Sequence, residues 1–371
     1  MPMPLTVLQV LPALISGGVE RGTLEIAGAV VRAGGRALVA SAGGPLVGPL
    51  ERLGARHVTL PLATKNPLAI LRNAGRLAAL IRAEGVRIIH ARSRAPAWSA
   101  LLAARRTGAH FVTTYHGTYN ENVPGKRRYN AVMAQGERVI AISSFIAGHI
   151  RERHGTEPGR IRVIPRGVDT ALFDPALVSP ARLAALRGAW NLPASRPVIM
   201  LPGRLTRWKG QGVLVEAMAR LPDATAVLVG GGARYQAVLE ARIAELGLAD
   251  RVRLVGHAED MPAALLLADI VVHASTDPEA FGRTVIEAQA MARPVIAADL
   301  GAPRETVQQG ITGWRVTPGD PAALAALLRQ VLDLPAAARA AVGAAARAHV
   351  LQAYTTAAMQ AATLDVYREL A

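Results

Sequence analysis

Short runs of Val, Ile and Leu, each followed by a longer stretch with apolar residues every three or four positions, recur along this chain from residue 5 to residue 299. That alternation of period-two and period-3.6 patterning predicts βαβ units around a parallel sheet. In the first half the strands are expected at 5–11, 36–41, 55–60, 86–90, 110–115, 138–143 and 161–165. After a Pro/Gly-punctuated stretch the series restarts, with strands expected at 196–203, 225–230, 251–256, 269–275 and 293–299. An α/β chain of two doubly wound, Rossmann-like domains is the implied fold class. Open sheets of this kind bind ligands beyond the carboxyl ends of their strands. Two facing sheets would place a cleft between the domains, with the functional motifs just after strands.

The segment GVDTALFDP (167–175) breaks both periodicities and is the expected junction. It gives a first domain over 1–175, a second over 176–353, and a final helix, about 354–371, expected to pack back onto the first. The Ala-rich tail keeps helical spacing of its Leu, Val and Tyr residues, as a packed helix requires. With 371 residues and 51% apolar content, the chain can build two cores. It contains no cysteine, so disulfides, thiolate chemistry and Cys-bound zinc are excluded, and nothing calls for an oxidising compartment. Its longest apolar runs fall short of a membrane span, and the first run lacks a signal peptide's basic start. A cytoplasmic location follows as an expectation.

Four segments carry candidate chemistry. Strand 196–203 runs into GRLTRWKGQG, which sets Arg204 and Lys209 at a strand end before a helix. A guanidinium and an ammonium there can hold a diphosphate; a solvated basic loop is the alternative. In DPEAFGRTVIEAQA (277–290), Phe281, Gly282 and Arg283 precede a helix whose first amides can receive an anion. Glu287, one turn in, can bind the two hydroxyls of a ribose, and Glu279, before the helix, can meet the hydroxyls of a sugar. Each glutamate taken singly also fits a solvated loop residue or a helix-start charge. Ser16-Gly17-Gly18 follows the first strand and opens a helix, with amides for a phosphate or simply a tight turn. It departs from the dinucleotide fingerprint, so a nicotinamide cofactor is not expected. His116 directly follows strand 110–115 and can bond a substrate hydroxyl or shuttle a proton, or merely cap backbone. The glycines 230–232 allow close approach of a nucleotide or form a turn. No paired D-x-D carboxylates, H-E-x-x-H, P-loop or G-x-S-x-G occurs.

Taken together, SGGVERGTLEIA, TTYHGTY, VIPRGVD, PGRLTRWKG, RVRLVG with His257, and PEAFGRTVIEAQAMARPVIA, with seven residues between its glutamates, make the chain resemble the retaining glycosyltransferases of the GT-B fold, family 4. The resemblance spans nearly the whole chain. It implies a hexosyltransferase-type enzyme (EC 2.4) using a nucleotide diphosphate sugar, UDP favoured, held mainly by the second domain with no cofactor and no metal. Arg204 and Lys209 would then neutralise the diphosphate, Glu279 would contact the donor sugar and His116 a sugar hydroxyl. Donor binding would fall to Gly17, Gly18, Gly203, Phe281, Gly282, Arg283, Thr284 and Glu287, with Gly256 and His257 beside the base. Departures from the family pattern are Arg166 for Asn, Gly230-Gly231-Gly232 for Gly-Asp-Gly, and Ala302 for Gly.

The formal charge of +15 is uneven: residues 1–169 hold 23 Lys/Arg against 9 Asp/Glu, and residues 170–371 hold 19 against 18. The basic excess, concentrated in 65–82 and 125–128, fits an acceptor-binding half that touches an anionic membrane peripherally, at the inner face of the cytoplasmic membrane; a helix with an ordinary solvated face, in an arginine-rich chain, is the alternative. The acceptor expected first is an envelope glycolipid or glycan such as lipopolysaccharide core, with a soluble sugar phosphate or glucan second. Nucleic acid is not expected as a partner, because aromatics are only 4% and do not interleave with the charges.

Overall fold

The structure is a computed structural model describing residues 5–15 and 17–371; Ser16 of the glycine turn lies outside them. The described chain forms two compact units, one of residues up to 165 together with 357–371 and the other of 166–356.

The first unit is built on a seven-stranded parallel sheet of β1 (Thr6–Val10), β2 (Arg36–Ser41), β3 (Arg56–Thr59), β4 (Ile88–Ala91), β5 (His110–Tyr115), β6 (Arg138–Ala141) and β7 (Ile161–Val163), in the order β3-β2-β1-β4-β5-β6-β7. The second has six parallel strands, β8 (Val198–Pro202), β9 (Thr225–Val229), β10 (Val252–Leu254), β11 (Ile270–His273), β12 (Val295–Ala298) and β13 (Trp314–Val316), in the order β10-β9-β8-β11-β12-β13. Both sheets reverse winding direction once, at β1/β4 and at β8/β11. Helices cover both faces, so the central strands are buried on both sides and read as unbroken apolar runs. Val7, Val39, Ile88, Val112 and Ile140 share one core with Ile26, Val30 and Met359, and Ile199, Leu228, Ile270 and Val272 share the other with Leu214, Met218 and Leu328. Local chemistry sets the helix limits. In Pro67–Glu84, the Asn66 side chain accepts from the amides of Leu68 and Ala69, proline occupies the first turn, and Gly85 ends it in the left-handed region.

The unit boundary falls at 165/166 and not at 175/176. Residues 167–175 are bound to the second unit: Val168 pairs with Thr355, a Cβ on Gly167 would stand 2.4 Å from the Thr356 amide nitrogen, and Arg347 holds Asp174 at 3.1 Å. The final helix, Thr356–Arg368, begins there, and residues 357–371 lie with the first unit. Its Tyr367 hydroxyl is 2.6 Å from His90 Nδ1, whose Nε2 is 2.7 Å from Thr114 Oγ1. Burial, with the Arg92 charge beside it, keeps the His90 ring well below its ordinary pKa and therefore neutral. β13 escaped the sequence expectation because three residues with an arginine in the middle carry no readable period. Among the described residues no helix is long and apolar enough to cross a membrane.

Candidate active site

The second sheet's reversal at β8/β11 draws together residues seventy positions apart. Gly203 follows β8, and the chain turns through a short 3-10 helix, Arg207–Lys209, into the helix Gln211–Met218. Gly210 lets this loop lie on the end of β11: its φ is 76°, and a Cβ there would stand 1.8 Å from the Ala274 carbonyl oxygen. No other residue type fits both constraints. Thr276 N–H donates to the Trp208 carbonyl at 2.8 Å, which fixes the two loops to each other. The result is an ion pair, Lys209 Nζ to Glu279 Oε2 at 2.7 Å, with side chains 17% and 15% exposed. Lys209 Nζ also stands 4.5 Å from the Trp208 ring centroid.

Glu279 is over-determined. Its carbonyl accepts from the Ala302 N–H at 2.9 Å, and its backbone pairs with Gly301, where a Cβ would meet the Glu279 carbonyl oxygen at 2.5 Å. Its Oε2 lies 3.3 Å from His273 Nε2 and 3.2 Å from Ser275 Oγ. Burial alone would push this carboxyl up, but the hydrogen bonds and charges of His273 and Lys209 outweigh it and hold the group at about 2. Glu279 is thus a fixed carboxylate at any physiological pH.

Gly282 (φ 82°) opens the helix Arg283–Ala290 without a side-chain cap, which leaves the positive end of that helix next to the cluster. A Cβ at Gly282 would come within 3.5 Å of His273 Nε2 and 3.6 Å of Glu279 Cγ. Phe281 is buried against Tyr354, ring centroids 6.0 Å apart, so it anchors the turn from beneath. Glu287, one turn on, is buried, with its Oε1 3.8 Å from Arg283 Nε. Thr284 is half-buried in the same first turn. Arg204 is exposed and has no carboxylate partner among the described residues; its carbonyl accepts from Gln211 Nε2 at 3.0 Å.

The glycines 230–232 lie close against other parts of the second unit. Cβ atoms there would meet, in turn, the Gly203 carbonyl oxygen at 2.1 Å, His257 Nε2 at 2.7 Å and the Leu205 carbonyl oxygen at 2.4 Å. Gly256 ends the neighbouring loop, its carbonyl accepting from Gly230 N–H at 2.7 Å. Gly17, Gly18 and His116 belong to the first unit: Gly17 precedes the helix Gly18–Arg32, and half-buried His116 follows β5. Sequence reasoning missed His273, Ser275, Gly210 and Gly301. The one readable signal was the polar pair that ends the apolar run DIVVHAS.

The first unit holds a cavity of about 580 Å³ lined by Lys65, Ser93, Arg94, Val123, Lys126 and Tyr129. It adjoins the start of the helix Arg94–Thr107, which follows β4. Among the described residues, three cations and no carboxylate line it.

Residues 184–349 match the family model "Glycosyl transferases group 1", and residues 16–172 match "Glycosyltransferase Family 4". A D-inositol 3-phosphate glycosyltransferase of Xylanimonas cellulosilytica is 34% identical over 79% of this chain and 75% of its own length; other relatives of that name, such as those of two Salinispora species, match over about half of theirs. A glycosyltransferase structure from Rickettsia africae superposes with a TM-score of 0.92 at 38% identity, over 99% of both chains. The Anabaena protein HepE, solved with UDP-glucose, gives 0.85 at 26% identity, over 98% of this chain and 100% of its own. The sequence put a lipopolysaccharide-type acceptor ahead of a soluble sugar phosphate; the curated relatives favour the reverse order.

Proposed function

The chain belongs to the group 1, family 4 glycosyltransferases of the GT-B fold, and from that premise we propose that it moves a sugar from a UDP-sugar to a small phosphorylated polyol, retaining the anomeric configuration and using no metal. The observation that carries the donor half is the Lys209–Glu279 pair at the sheet reversal, where α/β sheets bind ligands. Lys209, with Arg204 and the uncapped helix start at Gly282, faces the diphosphate. Glu287 takes the ribose hydroxyls and Glu279 a hydroxyl of the transferred sugar. UDP is favoured because the Anabaena neighbour was solved with UDP-glucose.

The reaction then needs little covalent help from the protein. The acceptor oxygen bonds to the anomeric carbon as the bond from that carbon to the diphosphate breaks. The bonding electrons leave with the diphosphate, and a diphosphate oxygen takes the acceptor's proton. Negative charge grows on the leaving group, and fixed cations and amides lower that barrier because they are already oriented. On the first unit, the cavity of Lys65, Arg94 and Lys126 takes the acceptor's phosphate. The relatives' names, which specify a phosphorylated inositol, support that acceptor class.

The test is transfer from UDP-glucose to inositol phosphate, to inositol and to a lipopolysaccharide-core oligosaccharide, each with EDTA present. Transfer that requires the phosphate is expected. Equal use of inositol, or use of the oligosaccharide alone, overturns the acceptor, and inactivation by EDTA overturns the metal-free step. A second reading, in which the first unit rests on an anionic bilayer, has one observation in its favour. Leu68, Leu71 and Val123 are exposed among Arg72, Arg76, Lys126, Arg127 and Arg128. Sedimentation with phosphatidylglycerol vesicles tests it, and an equal bound fraction on phosphatidylcholine refutes it.

A further inference from the structure

In the proposed donor site the ammonium assigned to the diphosphate is engaged by the carboxylate assigned to the sugar, 2.7 Å away. When Lys209 turns to a phosphate, Glu279 loses its shortest contact while it remains buried. An ionised carboxylate left in that state would protonate or swing away, because burial without a partner is costly. The neighbours that remain are His273 Nε2 at 3.3 Å and Ser275 Oγ at 3.2 Å.

We propose that His273 is a positioning residue: its Nε2–H retains the Glu279 carboxylate, ionised and aimed, once the donor's diphosphate draws Lys209 away. The inference rests on the donor site proposed above.

Three observations support it. His273 ends β11, is 4% exposed, and lies in register with Ala297 of β12, so the ring is held by the sheet, whereas Lys209 hangs on a loop. Among the described residues the buried Nδ1 has no hydrogen-bond partner, and Nε2 faces a carboxylate, so the ring proton belongs on Nε2. Gly282 lies directly beside both groups: a Cβ there would be in van der Waals contact, 3.5 Å from Nε2 and 3.6 Å from Glu279 Cγ, so the turn at Gly282 closes over the ring and the carboxylate. The titratable groups facing the Glu279 carboxyl are Lys209, from the loop after β8, and His273 itself; the Ser275 hydroxyl adds one neutral donor to the carboxylate at 3.2 Å and stands 3.4 Å from His273 Nε2.

The test compares His273→Asn with His273→Gln in the full chain, each checked for wild-type thermal unfolding. A glutamine amide reaches the place of Nε2; an asparagine amide reaches only that of Nδ1. In His273→Asn, turnover of UDP-glucose, read by donor hydrolysis, is expected to fall about 10-fold or more. Affinity for UDP, which lacks the sugar, should stay within about twofold, and the acid limb of turnover should move up by about one pH unit as burial regains control of Glu279. His273→Gln should recover most of the loss. Unchanged turnover and acid limb in His273→Asn, equal losses of UDP and UDP-glucose affinity, or a glutamine no better than asparagine would each overturn the proposal. Glu279→Gln separates the two levels: if that variant hydrolyses donor at the wild-type rate, the donor site itself is misassigned.

Discussion

The two sheets share a strand order and reverse at equivalent places, yet the reversals carry opposite chemistry. At β8/β11 the loops bring a lysine to a glutamate with a histidine and a serine around them. At β1/β4 the equivalent position is occupied by Arg92, buried and followed directly by the cation-lined cavity. Burial pushes the Arg92 guanidinium below its ordinary pKa, with Tyr367 and Glu25 opposing that shift. Behind it His90 is locked to Thr114 and to the C-terminal helix. Equal topology therefore fixes where a ligand can bind and leaves its charge to the loops. Under the proposed function, the second reversal takes a ligand with both anionic and hydroxyl groups and the first an anion over a rigid base.

Gly210→Ala breaks the second reversal outright. A Cβ 1.8 Å from a carbonyl oxygen, on a left-handed backbone, should cost about 4 kcal/mol, read as a fall in the urea midpoint; retention of the wild-type midpoint would show that the loops are not fixed to each other. Lys209→Ala and Glu287→Ala should each weaken UDP binding about 100-fold by calorimetry; Lys209→Ala should also lower stability, because it leaves the buried Glu279 carboxylate without its cation, and wild-type affinity in both removes the site. Tyr367→Phe tests the rigid base of the first reversal: His90 Nδ1 is left unpartnered, so stability should drop about 2 kcal/mol with UDP affinity unaltered. Lys126→Ala should raise the acceptor KM about tenfold, again without effect on UDP, which would sharpen the division of labour between the units.

The smallest effect concerns pH. The folded Glu279 carboxyl, at about 2, lies below its ordinary value of 4.5. Its stabilisation is therefore complete above that value and is lost as pH falls toward about 2. Glu279→Gln removes that dependence, and its acid-unfolding midpoint should shift by only about a few tenths of a pH unit, since one carboxyl among many is changed.

Much of the fold was legible because a buried parallel strand needs an apolar run and a covering helix needs a stripe. Twelve of the strands were expected within a few residues of their observed limits; β13 was too short to show a period. The domain junction was misplaced because 167–175 has no pattern of its own and takes its allegiance from Thr355 and Arg347. At the site, Arg204, Lys209, Glu279, Gly282 and Glu287 were readable as charges and a glycine flanking helices. The roles of Gly210 and Gly301 were not, since both answer to a carbonyl far along the chain.

Period, composition and charge along the chain determined two parallel α/β units and a loop pair fit for a diphosphate sugar, because burial and helix geometry act on neighbours in sequence. The tertiary structure alone decided that Lys209 rests on Glu279, that His273 stands behind it, and that the Gly203 and Leu205 carbonyls and the His257 ring close on the glycines at 230–232. Those facts depend on distances between segments that no local preference encodes, and only the sheet reversal brings them within a hydrogen bond of one another.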